Sequence, residues 1–202
     1  PTTLKPQLIV EAGLTPAKLG IDPALVDVVQ GLPAAPRPWV LVDCPDPDTT
    51  EDETAPLGTN LARLRALLPY CDVLLVTSTQ QKYRDARIVA ELATAAPGAR
   101  LVFVQTHADR DEDIRDDWRR SLGEHFAAGE MFLIDSCTAL SEARAGRPPS
   151  GDFARLLELL ARELSGASAQ RIRRANFLDL LAETLSACQQ RVGQRLQQVV
   201  QF

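Results

Sequence analysis

The stretch Leu101-Val102-Phe103-Val104-Gln105-Thr106-His107-Ala108-Asp109 decides the fold. It is a short, nearly unbroken apolar run that gives way to polar residues. Such a run is the mark of a strand buried on both faces, as in parallel sheets. Four more runs of the same kind lie at 8–11, 39–43, 72–77 and 131–134, beside the one at 101–105. Between them the pattern turns helical at 60–68, 82–95 and 113–127, the first with Leu61, Leu64, Leu67 and Leu68 on one face. This alternation predicts an open α/β sheet, mostly parallel, with helices on both sides. Glycine and proline punctuate the joins at 33–38, 96–98 and 146–151. Residues 14–38 are less decided, with 23–30 read as a short helix.

Beyond Gly151 the pattern is purely helical. One amphipathic helix covers 153–164, and a longer one starts near Ser168. Its apolar positions Leu178, Leu181, Leu185, Cys188, Val192, Leu196 and Val199 are spaced three or four apart. That length reads as the start of a bundle or stalk, or equally as a final helix packed on the domain. The organisation expected is one domain over 1–165 and a helical extension over 166–202.

The 202 residues suffice for one proper core. A net charge of -5 argues against a nucleic-acid partner, whose footprint is normally basic. No apolar run is long enough to span a bilayer, and no signal peptide is visible. Cys44, Cys71, Cys137 and Cys188 are scattered, three of them in or beside predicted strands, where free cysteine behaves as a small buried hydrophobe. With only His107 and His125 to help, they form no zinc pattern. The chain reads as cytoplasmic, with a peripheral membrane contact as an option.

Ligands of open α/β sheets sit beyond the carboxyl ends of the strands, so the residues after each apolar run carry the chemistry. After 101–105, the Asp109 carboxylate can accept two hydrogen bonds, from the ring N–H and the exocyclic amine of guanine. Adenine presents no such adjacent pair of donors. Thr106 would tie neighbouring loops together, and His107 could lay its ring along the base. Taken alone, a polar turn explains this run better. After 39–43 comes Asp43-Cys44-Pro45-Asp46, an acidic strand end suited to a metal-bound water near phosphates, and also to a simple turn cap. After 131–134 comes Asp135-Ser136-Cys137-Thr138, a small-residue loop whose backbone N–H groups could meet the guanine oxygen.

In order and spacing these three elements resemble those of Ras-like P-loop GTPases, and are most similar to bacterial dynamin-like GTPases. Asp43 matches the aspartate of the Asp-x-x-Gly element, so Asp43, Cys44, Pro45 and Asp46 correspond to switch II, with Asp46 at the glycine place. Thr106-His107-Ala108-Asp109 resembles the Asn/Thr-Lys-x-Asp element, with His107 at the lysine place. Ser136 takes the alanine slot of Ser-Ala-Lys, with Cys137 after it. Pro1-Thr2-Thr3 resembles switch I, whose threonine binds magnesium; Thr3 is favoured over Thr2. The resemblance covers the chain to about Leu164.

It implies a P-loop NTPase-type fold, GTP or GDP as ligand and Mg2+ as cofactor. Thr3 or Thr2 would hold the metal directly and Asp43 through water. Thr106, His107, Asp109, Ser136 and Cys137 would bind guanine, and the intact protein would hydrolyse GTP; no residue is identified as positioning the hydrolytic water. The sequence holds no Gly-x-x-x-x-Gly-Lys-Ser/Thr run. In the family that phosphate loop, with its strand and helix, precedes switch I and fills the sheet centre. The resemblance therefore implies a chain that starts after its first strand and phosphate loop, and that does not hydrolyse GTP alone.

Two other readings stand beside this one. A GTPase-derived fold could serve as a non-catalytic interaction module, self-associating or meeting a membrane surface through its C-terminal helices. The spacing Asp46-x-Asp48-x-Thr50 resembles haloacid-dehalogenase-like phosphotransferases, yet there the nucleophile directly follows the strand, a place held here by Asp43. The acidic group at 109–117, Asp109 apart, reads as a solvated helix start. Lys82 and the group Arg171, Arg173 and Arg174 read as surface charges, and Trp39 and Trp118 as packing residues.

Overall fold

The computed structural model describes residues 5–30, 40–46, 59–84, 100–123, 129–164 and 166–200. They form a mixed α/β fold with parallel and antiparallel pairing, in two compact units within Pro1–Cys71 and Asp72–Phe202.

The first unit is a three-stranded sheet in the order β2-β1-β3, made by β1 (Gln7–Val10), β2 (Asp27–Gln30) and β3 (Leu41–Asp43). β1 pairs parallel with β2, Gln7 opposite Asp27, and antiparallel with β3, Gln7 opposite Asp43. Alternation along β1 turns Leu8 and Val10 inward, where they meet Ile21, Val26 and Leu67. Leu67 comes from α1 (Asn60–Leu67), which begins where the Thr59 hydroxyl accepts from the Ala62 N–H at 3.3 Å.

Three expectations change here. The run at 39–43 is not a parallel strand buried on both faces. Its strand portion lies antiparallel to β1, and Leu41 is 47% exposed. The described part of this unit has one α-helix and short 3-10 turns, too little to cover both sheet faces. The segment 23–30 is not a helix. A 3-10 turn, Pro23–Leu25, capped by Asp22, leads into the exposed edge strand β2, whose paired valines favour extended backbone. The inner side of α1 follows Asn60, Arg63 and Leu67, three or four apart, so Leu61 and Leu64 are only half-buried.

The second unit matches the predicted pattern. β4 (Val73–Ser78), β5 (Arg100–Gln105) and β6 (Met131–Leu133) form a wholly parallel sheet with β5 central. Helices cover both faces of β5. On one side Val102, Val104, Phe132 and Ile134 pack with Leu156 and Leu159 of α4 (Gly151–Glu163). On the other, Phe103 and Met131 meet Trp118 and Leu122 of α2 (Arg115–Leu122). The Phe103 and Trp118 rings stand edge to face at 5.4 Å. α3 (Ser136–Arg144) follows β6, and α5 (Gly166–Val200) ends the described chain. Of the helix expected at 82–95, residues 82–84 form a turn and the rest lie outside the described residues. No described helix is long and apolar enough to cross a membrane.

Candidate functional site

Register fixes the site's frame. Ser78 pairs with Gln105 and Gln105 with Leu133, so the three described strands of the second unit end level and release their loops along one edge. Thr106, His107, Ala108 and Asp109 leave from the middle of that edge.

The loop is tied to both neighbours. Thr106 donates to the Ser78 carbonyl through its N–H at 2.9 Å and its hydroxyl at 3.3 Å. On the other side the Ala108 N–H donates to the Ile134 carbonyl at 3.2 Å. The 106–109 loop is thus fastened to the ends of both neighbouring strands, on one side two positions before Ser136. Farther along, the Gln80 N–H donates to Asp111 Oδ2 at 3.1 Å, and the Glu112 N–H to Gln80 Oε1 at 3.3 Å.

His107 has φ +63°, the only left-handed non-glycine among the described residues. That conformation crowds a Cβ and is held by two bonds, from the Arg110 and Asp111 N–H groups to the His107 carbonyl, both 2.9 Å. The imidazole is left exposed. Asp109 carries a carboxylate one-third exposed, with the Arg110 Nε at 3.3 Å.

Asp135 shapes the neighbouring loop as the N-cap of α3. Its Oδ1 accepts from the Cys137 N–H at 2.9 Å and the Thr138 N–H at 3.0 Å, and its Oδ2 accepts from the Thr138 hydroxyl. The Thr138 hydroxyl bond, and then the backbone bonds, hold this carboxyl below its ordinary pKa. The Cys137 N–H is consumed by the cap, which leaves the Ser136 N–H as the donor of that loop. Cys137 is exposed, so it is not the buried hydrophobe expected beside a strand.

Two supporting residues carry no motif. Gln105 is fully buried. It donates through Nε2 to the Glu112 carbonyl at 2.6 Å and accepts at Oε1 from the Ile114 N–H at 3.0 Å, closing the loop from inside. A polar residue ending an apolar run was its only signal. Asp152 accepts from the Leu133 N–H, Arg115 and Arg155, tying α4 to β6 and α2; nothing local announces it. Within the acidic group, Asp113 pairs with Arg115, Asp116 with Arg119, and Asp117 with Tyr83, Arg84 and Arg120.

In the first unit Asp43 ends β3 and is exposed, Cys44 packs against the core, Pro45 is buried and Asp46 half-buried. Burial, helped by Cys71 and Asp43, pushes the Cys44 thiol up to about 12, so it stays protonated and inert at neutral pH. Among the described residues no three His, Cys, Asp or Glu side chains gather as a metal cage. Thr2, Thr3, Asp48, Trp39 and His125 lie outside the described residues. Compared with protein-family models, curated proteins and solved structures, the chain matches none.

Proposed function

We propose that this protein binds a guanine nucleotide, with the base held at the strand ends of the second unit, and belongs to GTP hydrolysis chemistry of the P-loop type. One observation carries the reading. The Ala108-to-Ile134 backbone bond fastens the loop bearing His107 and Asp109 to the residue that follows β6, two positions before Ser136. Asp109 accepts from the guanine ring N–H and exocyclic amine, the Ser136 N–H meets the guanine oxygen, and the exposed His107 ring lies against the base. Strain at a left-handed histidine is of the kind found at ligand clamps, which further supports this role.

In the same reading the residues that would hold Mg2+ are Asp43 and Thr3 or Thr2. Magnesium supplies charge neutralisation at the phosphates when bound. The sequence carries no Gly-Lys-Ser/Thr loop, so phosphate grip is not assigned to these residues.

The test is amide chemical-shift mapping of the labelled chain with millimolar GDP, ADP and XDP. GDP should move the Thr106–Asp109 and Ser136 signals and ADP should not. Asp109→Ala should abolish the response, and Asp109→Asn should transfer it to XDP. Equal responses to ADP and GDP would sink the proposal.

A further inference from the structure

The loop after β4 runs beside the loop after β5 as a strap. Its attachments advance in step along both segments. The Ser78 carbonyl accepts from Thr106, Gln80 meets Asp111 and Glu112, and Tyr83 and Arg84 meet Asp117 on α2. The strap is itself tightly turned, with the Lys82 and Tyr83 N–H groups donating to the Thr79 carbonyl at 3.1 and 3.2 Å.

The middle attachment is reciprocal. The Gln80 N–H donates to Asp111 Oδ2 at 3.1 Å, and Gln80 Oε1 accepts from the Glu112 N–H at 3.3 Å. Gln80 and Asp111 are both half-buried, which shields the clasp in part from competing water. Asp111 also donates its own N–H to the His107 carbonyl at 2.9 Å, so one residue links the strap to the left-handed turn. Arg110, the other donor to that carbonyl, is exposed and pairs with Asp109 of the same loop. Gln105 grips the segment from inside, but at Glu112 and Ile114, farther along the chain from His107.

A left-handed backbone at a non-glycine residue is disfavoured about tenfold and persists where its surroundings fix it. Asp109 stands two positions after His107, so a change in the sign of φ at 107 would re-aim its carboxylate. From these links we infer that Gln80 and Asp111 are positioning residues of the proposed guanine site. Their clasp holds His107 left-handed and thereby sets the direction in which Asp109 meets the base. The inference rests on the guanine reading for its ligand, while the brace itself is a property of the free chain.

Two measurements on the labelled full chain test it. Without nucleotide, the His107 intraresidue amide-to-Hα NOE is strong at φ +63° and weaker at negative φ. Gln80→Ala with Asp111→Ala should weaken that NOE, and Asp111→Asn, which keeps an oxygen for the Gln80 N–H, should preserve it. In titrations with GDP the double alanine variant should bind about tenfold more weakly, because a minority of free molecules keeps the competent turn. Asp111→Asn should stay within about threefold of the wild type. Each single alanine variant should move both readouts the same way by less. A clasp that serves the fold alone would lower the urea midpoint and leave the NOE and the GDP affinity of the folded chain unchanged, which would overturn the inference. An Asp111→Asn chain as impaired as Asp111→Ala would do the same. A wild type that answers GDP and ADP alike would overturn the guanine reading, whereas the NOE decides the brace without nucleotide.

Discussion

Replacing Gln105 by leucine removes the polar link inside the second unit with little change of volume. The side chain is fully buried and makes two bonds, to the Glu112 carbonyl and from the Ile114 N–H. Each bond contributes about 1 kcal/mol net, and an orphaned buried N–H costs about 1–3 kcal/mol. Glu112 is exposed and its carbonyl can be rehydrated, but Ile114 is buried and its N–H has no such recourse. Leucine recovers some of this by apolar burial. The net loss should be about 2–3 kcal/mol, read as a lower urea midpoint at unchanged slope. Hydrogen exchange should show the Ile114 amide losing protection ahead of the β5 amides. Gln105→Glu separates the two bonds. It keeps the acceptor but, once ionised, sets a carboxylate against the Glu112 carbonyl. Its folded-state pKa is therefore raised above the ordinary value of about 4.3. That variant should match the wild type below about pH 4 and lose stability progressively above it. A Leu variant within 1 kcal/mol of the wild type, with Ile114 still protected, would refute the clamp.

Two further predictions follow from the same unit. Asp152→Ala strands the Leu133 N–H and leaves Arg115 only its Asp113 partner, so it should cost about 2–3 kcal/mol by urea unfolding, and Asp152→Asn less than half of that. Asp135 has its folded pKa depressed, so its contribution is present above the ordinary value of 3.8 and is lost as pH falls through the folded value. Asp135→Asn keeps an oxygen for the Cys137 and Thr138 N–H groups without titrating, and acid unfolding below pH 3.8 should weaken the wild type more than the variant. Equal acid sensitivity would remove Asp135 from the account.

The second unit was legible because its central strand β5 is covered on both faces, which forces an unbroken apolar run over 101–104. The first unit hides its topology. β2 is exposed at all four positions and so carries no burial pattern, and its valines read as well on a short helix. Nothing in Leu41-Val42-Asp43 encodes direction, because parallel and antiparallel partners accept the same side chains at a half-covered sheet. The supporting residues were illegible for a different reason. Gln105 acts on backbone seven and nine residues on, and Asp152 acts on Leu133 and Arg115, 19 and 37 residues away. Those links exist only once the loops have closed. The residues of the proposed guanine site were named from neighbouring positions in the sequence, without any such long-range link.

How base choice would arise at Asp109 can be argued from the contact it already has. The Arg110 Nε lies 3.3 Å away with its side chain 65% exposed, and such a surface pair is worth at most about 1 kcal/mol. Exchanging it for two donors on one carboxylate gains about 1.5–3 kcal/mol for each charge-assisted bond. Guanine can make that exchange and adenine cannot, since adenine would bring a ring nitrogen lone pair to an acceptor. The proposed preference therefore rests on a carboxylate that is weakly held beforehand and left two-thirds covered, enough to sharpen the bonds without trapping the charge. The loop's stiffness serves the same end. With Thr106 tied to Ser78, Ala108 to Ile134 and the His107 turn closed by two bonds, little ordering is left to oppose the base when it docks. On these terms a purine preference of about 100-fold needs only the two bonds at Asp109, and Asp109→Ala should erase it while leaving the fold intact.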